Sequence, residues 1–382
     1  MTKRQNWVVI SFFLILIFGF TIATIVLPDK EFSEKENRVL TQFPKLSLES
    51  VLDRSFENEY ETYLADQFVG RNEWIGAKTK IERLAGKQET NGVYFAEDGY
   101  LIEKHSGIFT KNTARSNVAY LADFLQKAKE RYGSDHVKAL MVPNAVEVLK
   151  EKLPPFADST EESAYLEEIR EALPADTYVD IKQVLEAHQE EEIFYRTDHH
   201  WKTLGARYAY LAWAESIGLE TLPDEEYQIK ELAGDFYGTI DAKVNTKVVP
   251  DTIEAYVPVK EVPYELTYNH SEKRDTLYDE SYLKGRDKYA VFFGGNQPLI
   301  EAETQAESQR KLLVFKDSYA NCFLSFAMQD FGEIDIVDLR YFNEDLAEFV
   351  KSGEYTDILV LYNLAGFAED TSIGKLQMAF PS

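Results

Sequence analysis

The chain has 382 residues, 45% of them hydrophobic and 13% aromatic, enough to bury a sizeable core in one large domain or two modest ones. Its 66 Asp and Glu against 41 Lys and Arg leave a formal net charge of −25, which argues against a nucleic-acid-binding surface, because neutralising phosphates takes clustered cations. A single cysteine, Cys322, excludes an intramolecular disulfide and any zinc site built from several thiolates.

Lys3 and Arg4 precede an uncharged run from Trp7 to Leu27. Its length is that of a bilayer-spanning helix, about 20 residues. The flanking cations keep the N-terminus cytoplasmic and place the rest of the chain outside. A cleaved signal peptide is the rival reading; the long apolar run and the lack of a small-x-small cleavage site favour an uncleaved anchor. Residues 1–27 are therefore expected to be a cytoplasmic tip and a single-pass transmembrane signal anchor in the cell membrane. An extracytoplasmic domain has no ready supply of ATP or nicotinamide, and no cofactor is expected.

Residues 28–90 read as a stalk followed by a lead-in helix, with Tyr60, Tyr63, Leu64, Phe68, Trp74, Ile75, Ile81 and Leu84 at helical spacing. Residues 91–382 read as an α/β domain. The run around Asp98-Gly99 is a hairpin signal, and Asn112 to Tyr132 is an amphipathic helix. Apolar strands are expected at Val137 to Val142, Tyr178 to Ile181, Leu312 to Phe315, Ile334 to Val337 and Ile358 to Leu361. A helix runs from Leu204 to Ile217, capped by Thr203 and stopped at Gly218. Strand–helix alternation predicts a parallel sheet flanked by helices. Between about 219 and 310 the pattern weakens into an irregular, Tyr-rich insertion.

The chemistry concentrates at Arg196-Thr197-Asp198-His199-His200-Trp201, which holds two of the six histidines. In an extended segment Asp198 and His200 share a side and His199 faces away. An Asp that orients a His needs a nucleophile from elsewhere. The candidate is Ser318, where the apolar strand ending at Lys316-Asp317 meets a helix; there an exposed hydroxyl sits at the carboxyl edge of a sheet, beside backbone amides able to hold an oxyanion. Helix capping by Asp317 and Ser318 is the plainer alternative. Gly295 and Asn296 in a turn, and Asn144, Arg340 and Asn363 at strand ends, are candidate oxyanion or substrate contacts, each with an ordinary loop role as its alternative. Trp201 is core or a sugar platform, with core as the default. Asp-His-His also invites a metal, but no Asp-x-Asp or second His pair accompanies it, so no metal is expected.

Thr197-Asp198-His199-His200-Trp201 resembles the signature of the bacterial DHHW protein family. The similarity extends to Phe32-Ser33-Glu34-Lys35-Glu36-Asn37-Arg38, Asp66-Gln67-Phe68-Val69-Gly70-Arg71, Phe236-Tyr237-Gly238-Thr239, Phe293-Gly294-Gly295-Asn296, Lys316-Asp317-Ser318-Tyr319-Ala320-Asn321 and Val337-Asp338-Leu339-Arg340-Tyr341. That family is similar to alginate O-acetyltransferase-like exported proteins with an SGNH/GDSL-hydrolase-like domain. The resemblance implies acyl transfer to or from an exported or cell-wall polysaccharide, by an O-acyltransferase or esterase, beside a membrane-bound O-acyltransferase partner. Catalytic roles fall on Ser318, His200 and Asp198. Lys316 stands where the common Gly-Asp-Ser form has its glycine. A non-catalytic glycan-binding or scaffold protein of a polymer-export complex is the alternative from a different class.

Overall fold

The computed structural model describes residues 3–33, 38–246 and 248–380; residues 34–37 of the motif at 32–38 lie outside them. The chain forms two compact units, Met1–Thr90 with Ala242–Thr246, and Asn91–Asp241 with Lys247–Ser382.

In the first unit, Lys3–Val26 is one continuous helix, long and apolar enough to cross a membrane. Near its end Phe20, Ala23 and Thr24 are partly covered, at the i, i+3, i+4 spacing of one helix face. The Phe20 ring stacks on Phe68 at 5.8 Å and meets Trp74 edge-on at 5.5 Å. The predicted lead-in helix is two helices, Ser55–Gln67 and Arg71–Leu84. Gly70 separates them at φ +70°, a left-handed conformation that ends regular helix. Arg38, ahead of these helices, forms a two-pronged ion pair with the buried Asp66 of the first, and Asp66 also accepts from the Thr41 amide.

The second unit is built on a seven-stranded sheet: β1 Val137–Val142, β2 Tyr264–Tyr268, β3 Glu272–Arg274, β4 Leu299–Thr304, β5 Lys311–Lys316, β6 Glu333–Val337 and β7 Asp357–Asn363. The order is β3-β2-β4-β6-β5-β7-β1. β6, β5, β7 and β1 run parallel, while β4, β2 and β3 extend the sheet antiparallel. The expected parallel sheet is thus one end of a mixed one, with β1 at its edge. Its strands are apolar on both faces, as strands covered twice must be. Leu140, Val142, Leu312, Val314, Leu359 and Leu361 point into one core, and Ala139, Met141, Leu313, Phe315, Ile358 and Val360 into the other.

Helices Thr203–Ser216 and Ala320–Ala327 cover the first face, and Asn112–Tyr132 and Thr160–Ala172 the second. The chain leaves β5 through Ala320–Ala327 on the first face to reach β6. It then crosses back through Leu346–Ser352 on the second face to β7, on the other side of β5. Connections that depart to opposite faces open a crevice at the carboxyl end of the strand between them. Ser318 lies there.

Three other expectations change. Tyr178 makes a single bridge to Ala139 and no strand forms at 178–181. The stretch 219–310 is not irregular: it holds the hairpin Tyr227–Phe236 with Asp251–Pro258, and strands β2, β3 and β4. The helix after Trp201 starts behind Lys202, and Thr203 spends its hydroxyl on the Glu254 carbonyl instead of a cap.

Candidate active site

Apolar β5 delivers the chain to Lys316, after which Asp317 turns it. The Asp317 carboxylate accepts the Tyr319 amide at 2.9 Å from one oxygen, and the Asn363 amide and side-chain nitrogen at 2.8 and 2.6 Å from the other. Asp317 therefore pins the turn to the end of β7 and leaves Ser318 as its half-open apex. Burial pushes the Asp317 carboxyl up to about 6, against the pull of Arg340 and these donors.

Across the crevice, residues 196–200 form a series of bends instead of the expected extended run. The buried Asp251 shapes it, accepting the amides of Arg196 and Thr197 at 2.8 Å each and the Thr197 hydroxyl at 2.6 Å. Asp198 Oδ1 then accepts both the His200 amide at 3.1 Å and the His200 Nδ1–H at 2.6 Å. A two-residue spacing closes this small ring from side chain to backbone. Asp198 Oδ2 takes the amide and hydroxyl of Thr239, at 2.8 and 3.0 Å. Gly238 packs against it so closely that a Cβ there would stand 2.2 Å from Asp198 Oδ2.

With Nδ1 donating to Asp198, His200 Nε2 is the acceptor, and it faces Ser318 Oγ at 2.8 Å. The structure thus brings Ser318, His200 and Asp198 into one hydrogen-bonded line. Burial and the neighbouring His199 push the His200 imidazole down to about 4, although Asp198 pulls the other way. Burial alone would raise Asp198; the imidazoles of His199 and His200 and the Thr239 amide hold it below the usual carboxylate range. At neutral pH the pair is a carboxylate beside a neutral base.

His199 does not face away. Its ring lies 3.9 Å from that of His200, and its Nδ1 meets the Thr239 hydroxyl at 2.8 Å, which in turn donates to Asp198. Trp201 is fully buried, its indole N–H on the Tyr319 carbonyl at 2.8 Å. The Tyr319 hydroxyl donates to the His199 carbonyl, so the two site segments are tied together in both directions. Asn144 donates to Tyr319 Oη and to Asn363 Oδ1, which supports the turn from below.

Of the other sequence candidates, Gly295 donates its amide to the Phe292 carbonyl, and Asn363 donates its side-chain amide to Asp317. Arg340 clasps Asp338 with Nε and Nη2 at 2.8 and 2.6 Å, and its charge is felt at His200, Asp317 and Lys316. Lys316 is fully buried and donates to both Asn296 Oδ1 and Asn321 Oδ1 at 2.9 Å. Burial lowers its ammonium to about 8. A lysine has only donors, so it fixes the Asn296 amide with oxygen inward and nitrogen outward. Among the described residues, neither Asn296 Nδ2 nor the Ser318 amide has a hydrogen-bond acceptor.

Sequence reasoning passed over Tyr289, whose ring lies parallel to His200 at 3.8 Å and 16°. Its hydroxyl donates toward the Ser318 carbonyl at 3.1 Å and lies 3.3 Å from Cys322 Sγ, which is buried as expected. Thr239 and Gly238 were visible only as part of the family pattern, and Asp251 carried no signal.

Asp198, His199 and His200 also offer three metal-ligand atoms within 4.8 Å of one another. Both oxygens of Asp198, both ring nitrogens of His200 and Nδ1 of His199 are already engaged with protein groups. A cation would have to displace several of these bonds.

The second unit is thus a mixed α/β sheet flanked by helices that presents a serine at the carboxyl end of an inner parallel strand, opposite a His–Asp pair. The chain belongs to the DHHW protein family, whose profile matches residues 112–337, more than half its length. A DHHW family protein from Eubacterium siraeum is 28% identical over 77% of this chain and 98% of its own, with a TM-score of 0.63. PatB1 of Bacillus cereus, in a structure carrying a sulfonyl adduct, is 19% identical over 74% and 99%, with a TM-score of 0.60. The O-acetyltransferase domain of Pseudomonas putida AlgJ is 14% identical over 75% and 98%, with a TM-score of 0.44. No curated protein sequence matches the chain.

Proposed function

We propose that this protein is a membrane-anchored, extracytoplasmic O-acyltransferase or esterase that works on an exported or cell-wall polysaccharide through a Ser318 acyl-enzyme. The observation that carries the reading is the 2.8 Å contact between Ser318 Oγ and His200 Nε2. In this reading His200 takes the hydroxyl proton as Ser318 Oγ bonds to the acyl carbon. The leaving group departs with that proton. A sugar hydroxyl, or water, then attacks the acyl-enzyme; His200 removes its proton and returns it to Ser318. Asp198 holds the imidazole in the tautomer that leaves Nε2 free and stabilises the imidazolium. The Ser318 amide and Asn296 Nδ2 are the donors offered to the oxyanion. The family resemblance supports the polysaccharide acceptor and a membrane-bound O-acyltransferase as acyl supplier, and the cations before Trp7 support the orientation.

Ser318→Ala tests the nucleophile. Turnover of a small acetyl ester is expected to fall by about 10⁴-fold or more while circular dichroism stays unchanged. The wild-type protein is expected to gain one acyl mass on Ser318 when quenched during turnover. Full activity in Ser318→Ala removes the serine from the mechanism. Glycan affinity with no acyl mass in either protein would instead make the chain a binding or scaffold component.

A further inference from the structure

Helix Arg71–Leu84 has two dissimilar faces. Gly76 and Thr79 are buried on one, where Gly76 packs against Asn245 of the same unit. Trp74, Ala77, Ile81 and Leu84 lie on the opposite face at 3-4-3 spacing, an arc of about 80° on a helical wheel. All four are exposed: Trp74 49%, Ile81 66% and Leu84 89% of their surface. An apolar stripe of this kind facing water is costly, and among the described residues of this unit only the Phe20 ring against Trp74 is seen to cover part of it.

The same helix is fixed in depth by its contact with the apolar N-terminal one. Trp74 touches Phe20, six residues before the end of Lys3–Val26. At 1.5 Å per residue, Phe20 lies about 9 Å inside that end. If the twenty residues up to Val26 fill a hydrocarbon core of about 30 Å, the Phe20 contact carries the Trp74 ring about 9 Å below the acyl–headgroup boundary, within the depth of about 5–10 Å to which interfacial helices bury their apolar face. The helix is also locally basic, with Arg71, Lys78, Lys80 and Arg83 against Glu73 and Glu82, in a chain whose net charge is −25. That local balance suits an anionic lipid surface.

We infer that the Trp74–Ala77–Ile81–Leu84 face of this helix lies in the lipid surface at the Val26 end of the membrane helix, so that residues 55–84 are a monotopic membrane-docking element and not a free stalk. The inference rests on the reading of Lys3–Val26 as a membrane span. Its test is to place single cysteines in the full-length protein at Ile81, at Thr62 on the acidic helix, and at Ile15 inside the apolar helix, leaving buried Cys322 unlabelled. Each is labelled with an environment-sensitive fluorophore and the protein is reconstituted into vesicles of phosphatidylethanolamine and phosphatidylglycerol. The Ile81 label is expected to shift to the blue and lose intensity to brominated lipids, while the Thr62 label responds only to aqueous iodide. Iodide quenching at Ile81 with lipid quenching at Ile15 overturns the docking element and spares the span. Loss of lipid quenching at both overturns the span. A blue shift at Ile81 without lipid quenching assigns the face to another protein or a second copy, and also overturns the inference.

Discussion

His200 works between two constraints, one in the plane of its ring and one above it. Asp198 fixes the plane, and Tyr289 lies flat against the ring at 3.8 Å with its hydroxyl on the Ser318 carbonyl. Tyr289→Phe keeps the stack and drops the hydrogen bond, and kcat is expected to fall about fivefold, the worth of one such bond. Tyr289→Leu removes the ring as well and is expected to cost roughly another tenfold. Equal rates in the two variants would show that the stack contributes nothing. Gly238 guards the other end of the line. A methyl group there collides with Asp198 Oδ2, so Gly238→Ala is expected to cost about 1–3 kcal/mol of stability and roughly 100-fold in kcat, read by chemical denaturation and ester turnover. The depressed imidazole sets the pH profile. The neutral ring is the working form, so log(kcat/KM) is expected to rise with pH up to about 4 and then level off, with no step at the ordinary 6.5 of a histidine. A limb near 6.5 would mean that water reaches His200 more freely than its burial implies.

At the scale of elements, what the sequence revealed follows from how local each signal was. The helix Asn112–Tyr132 was readable from Val118, Leu121, Leu125 and Ala128, because its apolar face is written every three or four residues. The inner strands were readable as short apolar runs, since both of their faces are covered. Asp198 and His200 were picked out by residue type and two-residue spacing, and Ser318 by its position where an apolar strand meets a helix. Residues 227–258 were not readable, for a physical reason. Tyr227–Phe236 is largely exposed, so neither continuous apolarity nor a clean alternation marks it as a strand. Its partner strand nonetheless brings Asp251 beneath the bends at 196–197, and the connection between the two brings Gly238 and Thr239 to Asp198. The supposed insertion is the wall that shapes the site. Asp251→Ala strips three donors of their acceptor; it is expected to lower stability by about 2–4 kcal/mol and to cut ester turnover. Unchanged turnover in this variant would show that the bends at 196–200 hold their shape without it.

For the molecule as a whole, the candidate site and the apolar N-terminal helix fall in different parts of the chain. Every residue of the Ser318–His200–Asp198 line and its supports belongs to the second unit, while the apolar N-terminal helix, long enough to cross a membrane, belongs to the first. Deleting residues 1–27 is therefore expected to leave kcat on a small soluble ester unchanged, as turnover of the detergent-solubilised protein would show. The site also has an uneven history built into its connectivity. His200 and Asp198 are two residues apart and find each other within one bend, whereas Ser318 reaches them only after a separation of 118 residues has been closed, at an entropic cost of about 4 kcal/mol. A partly folded chain can therefore bring His200 to Asp198 before Ser318 reaches either. On the proposed reading, ester turnover is expected only from a molecule in which β5 has docked and closed the Ser318–His200 contact.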